Sequence, residues 1–174
     1  MENVVHDSRA EIALKLLLDD LRDGAANARA FGPVSALTLH GRRFPPAGDD
    51  PAWLKRGPKR HCFANAAKLA SERDDVFYTE GYAFNGEIPI PMQHAWLVDK
   101  NGCPIDPTWE QSPDHIYFGI VFRKAFIIEM MNINRCEDGL LVYPNVLHRH
   151  FGSAELLEAV IEPSMAAFHI ARGD

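Results

Sequence analysis

Three stretches rich in branched and aromatic residues, Val76 to Phe84, Pro91 to Asp99 and Cys103 to Trp109, follow one another with turn pairs such as Asn85-Gly86 and Asn101-Gly102 between them. Asn-Gly supplies the positive backbone dihedrals of a two-residue hairpin, so it returns the chain antiparallel to itself. The middle of the chain is therefore expected to form successive antiparallel strands. The Asn101-Gly102 turn in particular pairs the stretch around His94 with the stretch around Asp106, and sets two polar residues that are distant in sequence side by side.

Helices are expected on either side of this block. Ser8 and Glu11 read as a capping box, and Ile12, Leu16 and Leu17, with Ala13, Leu14, Leu18 and Leu21, give an apolar stripe, which predicts an amphipathic helix over residues 8 to 23. From Gly24 to Pro58 the punctuation is dense, with Gly32-Pro33, Pro45-Pro46, Gly48, Pro51 and Gly57-Pro58. Proline lacks a donor and fixes φ, so this region reads as mostly loop, with a short strand at Ala36 to His40 and part of the loop roofing a groove. Cys62 to about Glu72 is made of good helix formers, with the cysteine in the first turn. Beyond the strands, Ile116 to Phe122 reads as another strand or a loop, Phe122 to Met131 as a strand-to-helix passage, Leu140 to Tyr143 as a short strand, and Ser153 to Ile161 as a helix that stops before Pro163.

A length of 174 residues with 47% hydrophobic residues suits one domain with a substantial core. Within it, residues 8–58 read as a helix and a lid, 59–122 as the core that bears the chemistry, and 123–174 as a carboxy-terminal part. The formal charge of −6 offers no general field for nucleic acid or an anionic membrane. Neither partner is expected. Met1 to Asp7 lack the pattern of a signal peptide and no stretch is long and apolar enough for a membrane span, so a soluble, cytoplasmic protein is expected. Cys62, Cys103 and Cys136 are odd in number and show no CxxC spacing, so free thiols are expected and a cysteine-rich zinc site is not. His148 and His150 have no carboxylate or thiol at a helpful spacing, and glycine-rich phosphate loops are absent, so no cofactor is expected.

The remaining chemistry converges on three local texts: Lys59-Arg60-His61-Cys62-Phe63, Gln93-His94-Ala95-Trp96 and Ile105-Asp106-Pro107-Thr108. A free thiol is only a few per cent ionised at neutral pH, so a cysteine nucleophile needs help. A helix amino terminus, the cations Lys59 and Arg60, and an imidazolium at His94 each favour a thiolate. Asp106 beside His94 can take one ring nitrogen and leave the other for the thiol. Taken singly, each residue has a plainer reading: a cysteine heading a helix is commonly a small buried apolar residue, a strand histidine a core residue, and an aspartate before Pro-Thr a turn cap. Asn65, Tyr82, Trp96, Trp109 and Tyr117 are the candidates to line a substrate groove, with a bond to the neighbouring loop as the other reading of Asn65 and the core as the other reading of the aromatics, and Glu80 alternates with apolar residues on a strand that could face the site.

His94-Ala95-Trp96, followed by Asp99, Gly102 and Asp106-Pro107-Thr108, resembles the histidine and aspartate strands of transglutaminase-like proteins in the papain-like cysteine hydrolase superfamily, and Cys62 at a helix head upstream agrees with that family's Cys, His, Asp order. The resemblance covers roughly residues 58 to 122, and His61 stands where true transglutaminases often carry a tryptophan. It implies an α+β fold of papain-like, transglutaminase-like type, in which a helix bearing the nucleophile packs on an antiparallel sheet. It also implies Cys62 as nucleophile, His94 as base and Asp106 as its orienting acid, acting on a protein, peptide or small amide substrate by hydrolysis, deamidation or transamidation. Two rival expectations remain beside it: a catalytically inactive scaffold of the same shape that binds a protein or ligand in the cleft, and a small-molecule acyltransferase.

Overall fold

A computed structural model describes residues 8–85, 88, 90–110, 112–134, 138–141, 146 and 149–165. The elements run α1 (Arg9–Asn27), α2 (Pro33–His40), β1 (Arg42–Arg43), α3 (Cys62–Glu72), β2 (Val76–Phe84), β3 (Met92–Asp99), β4 (Pro104–Ile105), β5 (Ile116–Val121), α4 (Lys124–Asn134) and α5 (Ala154–Glu158), ending in a 3-10 turn at Pro163–Met165. The fold is mixed α and β around one antiparallel sheet of order β1-β5-β2-β3-β4.

The β3–β4 hairpin forms at its Asn-Gly pair, but as a longer turn in which Asn101 keeps a negative φ and the Gly102 amide donates to Asp99 O at 3.0 Å. Gly102 takes a φ of 79°, a region costly to other residues, and the Asp99 carboxylate accepts from the amides of Asn101 and Cys103 at 2.8 Å. β4 stops early, however: it pairs only with Leu97 and Val98, whereas the sequence suggested a strand through Trp109. The Asp106 side chain ends it by turning back onto the amides of Thr108 and Trp109. The partner stretch of β3 beyond Leu97 is left with an open edge at His94.

Residues 33 to 40 are a helix and not the expected strand. Pro33 sits in the first turn, where its missing donor costs nothing and its φ is already helical. α1 runs to Asn27, past Gly24, with Ser8 capping the Glu11 amide at 3.2 Å. Its buried face is Ala10, Ala13, Leu14, Leu17 and Leu21, while Ile12 and Leu16 face outward at 51% and 62% exposure, so the stripe lies a step round from the one read in the sequence. α4 fulfils the strand-to-helix passage after Val121, and Ser153 caps α5 through the Leu156 amide. Leu140 and Leu141 are buried but not in a strand; Val142 and Tyr143 lie outside the described residues, as do Gly86, Cys136 and His148.

One face of the sheet meets the helices in a core that joins Leu14, Leu21 and Leu37 to Ala66, Leu97, Phe122, Ile127 and Leu157. The other face carries Trp96, Val98, Ala83, Tyr117 and Val121 under Phe44 and Met165. The segment after β1 thus serves as the second layer. Only Arg56 and Gly57 of the 24–58 region line the cleft at Cys62; the expected lid is mainly a cover for the sheet. Among the described residues no helix is long and apolar enough to cross a membrane.

Candidate active site

Strand alternation puts His94 on the same face as Trp96, with both buried. Its Nε2 lies 2.7 Å from Asp106 Oδ2. Asp106 is fully buried and accepts from every side: His94 and the Tyr117 hydroxyl (2.9 Å) at Oδ2, and the amides of Thr108 (2.8 Å) and Trp109 (2.9 Å) at Oδ1. Trp109 stacks on the imidazole with ring centroids 4.1 Å apart and planes 23° from parallel. With Nε2 engaged, Nδ1 is the nitrogen left toward Cys62, which lines the same cleft and favours the charged ring.

The electrostatics follow from burial set against these partners. Burial opposes a charged imidazole, but the hydrogen bonds and charges of Asp106 and Cys62 outweigh it, and the His94 pKa is raised to about 9. Burial also pushes the Asp106 carboxyl up, yet His94 and the two amides hold it below the ordinary carboxylate range. Tyr117 is driven upward by burial and by the Asp106 charge, so it stays a neutral donor. The favoured state at neutral pH is a carboxylate bonded to an imidazolium.

Cys62 is buried at 8% exposure in the first turn of α3, and no side chain caps that helix at His61. Its early amides are therefore free to face an anion. Cys62 and His94 share one wall of an open cleft of about 1280 Å³ that also borders Lys59, Arg60, Gln93 and Trp109.

The structure brings Cys62, His94 and Asp106 together and distributes the expected groove residues differently. Trp109 lines the cleft. Trp96 is wholly buried in the second core, its ring 5.5 Å from that of Phe44, and Tyr82 packs in the helix-side core, so neither reaches the cleft. Asn65 is a brace: its amide donates to Pro58 O and to Thr108 Oγ1, each at 2.9 Å, and a Cβ at Gly57 would fall 2.0 Å from its oxygen. Glu80 points away from the cleft, held by Tyr78 and by the amides of Leu140 and Leu141. Gln93, which alternation turns from the His94 face, nevertheless borders the cleft, because the edge of β3 is open there.

Tyr117, a groove candidate in the sequence, is instead a donor to Asp106, and the tie made by Arg56 was not legible. Tyr117 arrives through β5, whose place beside β2 no local pattern declares. Arg56 donates to Trp109 O at 2.7 Å and pairs with Asp50, which ties the loop before Cys62 to the segment after Asp106. Among the described residues no group of three His, Cys, Asp or Glu side chains is placed to hold a metal ion. No family model, curated protein or solved structure matches the chain.

Proposed function

We propose that the protein is a cysteine-dependent acyl-transfer enzyme acting on an amide-type carbonyl. The observation that carries this reading is the buried Asp106–His94 pair that lines one cleft with the Cys62 thiol, which stands at an uncapped helix start. In this scheme His94 holds the proton and Cys62 is the thiolate. The sulfur attacks the carbonyl carbon, and the amides at the head of α3 face the oxyanion. His94 gives its proton to the departing amine as the C–N bond breaks, leaving a thioester on Cys62. Water or a second amine then attacks the thioester while His94 takes up the proton, and the thiolate is released. Hydrolysis, deamidation and transamidation share the first half, and differ in what reaches the thioester.

The arrangement of a nucleophile-bearing helix on an antiparallel sheet, with the histidine on one strand and the aspartate just past the end of its neighbour, is what a papain-like or transglutaminase-like fold would present. The resemblance in Cys62, His94-Ala95-Trp96 and Asp106-Pro107-Thr108 supports the same reading. The test is the alkylation rate of Cys62 by iodoacetamide against pH, read by mass spectrometry, with Cys103 as internal reference because burial and Asp99 push its thiol up. Cys62 is expected to react at least about tenfold faster than Cys103 below pH 7, and to lose that lead in His94→Ala. A Cys62 that is inert or reacts as slowly as Cys103 in both proteins would contradict catalysis and leave the cleft as a binding site.

A further inference from the structure

The loop that leads into Cys62 is held in a costly shape. Arg60 has a φ of 68°, a left-handed conformation that a long side chain adopts only when the surroundings impose it. The surroundings here are three hydrogen bonds: Arg56 Nε to Trp109 O (2.7 Å), Gly57 N to Pro107 O (2.9 Å) and Asn65 Nδ2 to Pro58 O (2.9 Å). Two of them anchor the loop to the segment after Asp106 and the third to α3. Lys59 and Arg60 then border the cleft beside the nucleophile, and both are exposed.

These two cations differ from their neighbours. Arg56 is paired with Asp50, and Lys55 faces a separate hollow with Trp53 and Glu72. No described side chain pairs with Lys59 or Arg60. Two carboxylates, Glu110 and Asp114, line the same cleft. In a chain of net charge −6, attraction for an anion has to be local, and this is a place where unpaired positive charge stands against the reacting sulfur.

We infer that Lys59 and Arg60 form an anion subsite, and that the substrate is an amide carrying a carboxylate close to its scissile carbonyl. The inference rests on the acyl-transfer reading above and adds the substrate class. The carboxylate docks on Lys59 and Arg60, which turns the carbonyl toward Cys62 and the head of α3, while Glu110 and Asp114 repel a carboxylate elsewhere in the cleft.

Iodoacetate and iodoacetamide test this directly, because they differ by one carboxylate. Both alkylate the same thiolate with loss of iodide, so the ionised fraction of Cys62 cancels from the ratio of their rates. At low ionic strength the iodoacetate-to-iodoacetamide ratio at Cys62 is expected to fall about three- to tenfold in Lys59→Gln/Arg60→Asn, and about 0.5 M salt should produce much of the same fall in the native protein. Asparagine tolerates the left-handed backbone. Arg60→Gly relieves it altogether and replaces Arg60→Asn if that variant fails to fold. A ratio unchanged by the substitutions, at a Cys62 that reacts fast with iodoacetamide, overturns the anion subsite and leaves acyl transfer standing. A Cys62 slow toward both reagents overturns the two together.

Discussion

Glu80 and Asp106 are carboxylates buried in the same sheet, and their surroundings differ in one respect. Each accepts two backbone amides, Leu140 and Leu141 for Glu80, Thr108 and Trp109 for Asp106, and each takes a tyrosine hydroxyl, from Tyr78 and Tyr117. Asp106 also meets His94. Burial raises the Glu80 carboxyl and its three donors offset that only in part, whereas the Asp106 carboxyl ends below its ordinary value. At Glu80 the neutral donors fall short of the cost of burial, and at Asp106 the imidazole makes up the difference. Glu80 is thereby suited to pin the 138–141 segment onto β2, and Asp106 to hold a charged imidazole toward a thiol.

The sharpest way to break this comparison is to neutralise each carboxylate in turn. Asp106→Asn is expected to lower turnover of an amide substrate by about 10³-fold or more, because the imidazolium loses its partner and its tautomer is no longer fixed. Glu80→Gln should change turnover by less than about threefold. Equal losses in the two variants would mean that Glu80 belongs to the site.

Next in size is stability. Glu80→Gln keeps the shape but gives one of the two amides, Leu140 or Leu141, an N–H where it had an acceptor, at a cost of about 1–3 kcal/mol in urea unfolding. The pH dependence of the two variants should then run in opposite directions. The folded Glu80 pKa is raised above 4.5, so the stability from its protonated form is complete below 4.5 and is lost as pH rises through the folded value. The deficit of Glu80→Gln therefore narrows with rising pH. The folded Asp106 pKa is below 3.8, so its contribution is complete above 3.8 and is lost as pH falls through the folded value. The deficit of Asp106→Asn narrows on acidification. It narrows again in alkali, because the contribution of His94, complete below 6.5, is lost as pH rises through about 9. Unfolding curves across pH that move in parallel for the two variants would contradict the contrast.

The smallest effect belongs to the tyrosine. Tyr117 shares Asp106 Oδ2 with His94, so Tyr117→Phe concentrates the carboxylate charge on the imidazole and should move the alkaline limit of turnover, set by loss of the His94 proton, upward by less than about one pH unit. A downward shift would show that the hydroxyl supports the ion pair in some other way.

The His94–Asp106 contact was readable because it is local: one Asn-Gly turn joins the two residues, and alternation then fixes which side chains share a face. Cys62 was readable as the head of a helix, since the run from Phe63 to Ala70 is helical by composition. What the sequence hid depends on partners remote in the chain. The segment from Pro33 to His40 reads as punctuation until its proline is placed in a helix's first turn, and the apolar residues at Ile12 and Leu16 belong to no face until the sheet is in position. Asn65 looked like a groove residue because only the loop at Gly57 and Pro58, folded back across α3, shows that its amide is already used. Tyr117 could be assigned to Asp106 only once β5 lay beside β2.

The central claim is that His94 is an imidazolium at neutral pH because Asp106 holds one nitrogen and Cys62 the other. Nitrogen-15 shifts of the His94 ring across pH measure this without a substrate. The account predicts a ring protonated at both nitrogens at pH 7.5 that titrates near 9 in the native protein and well below that in Asp106→Asn. A ring that is neutral at pH 7.5, or one that titrates at the same pH with and without the Asp106 carboxylate, would contradict it.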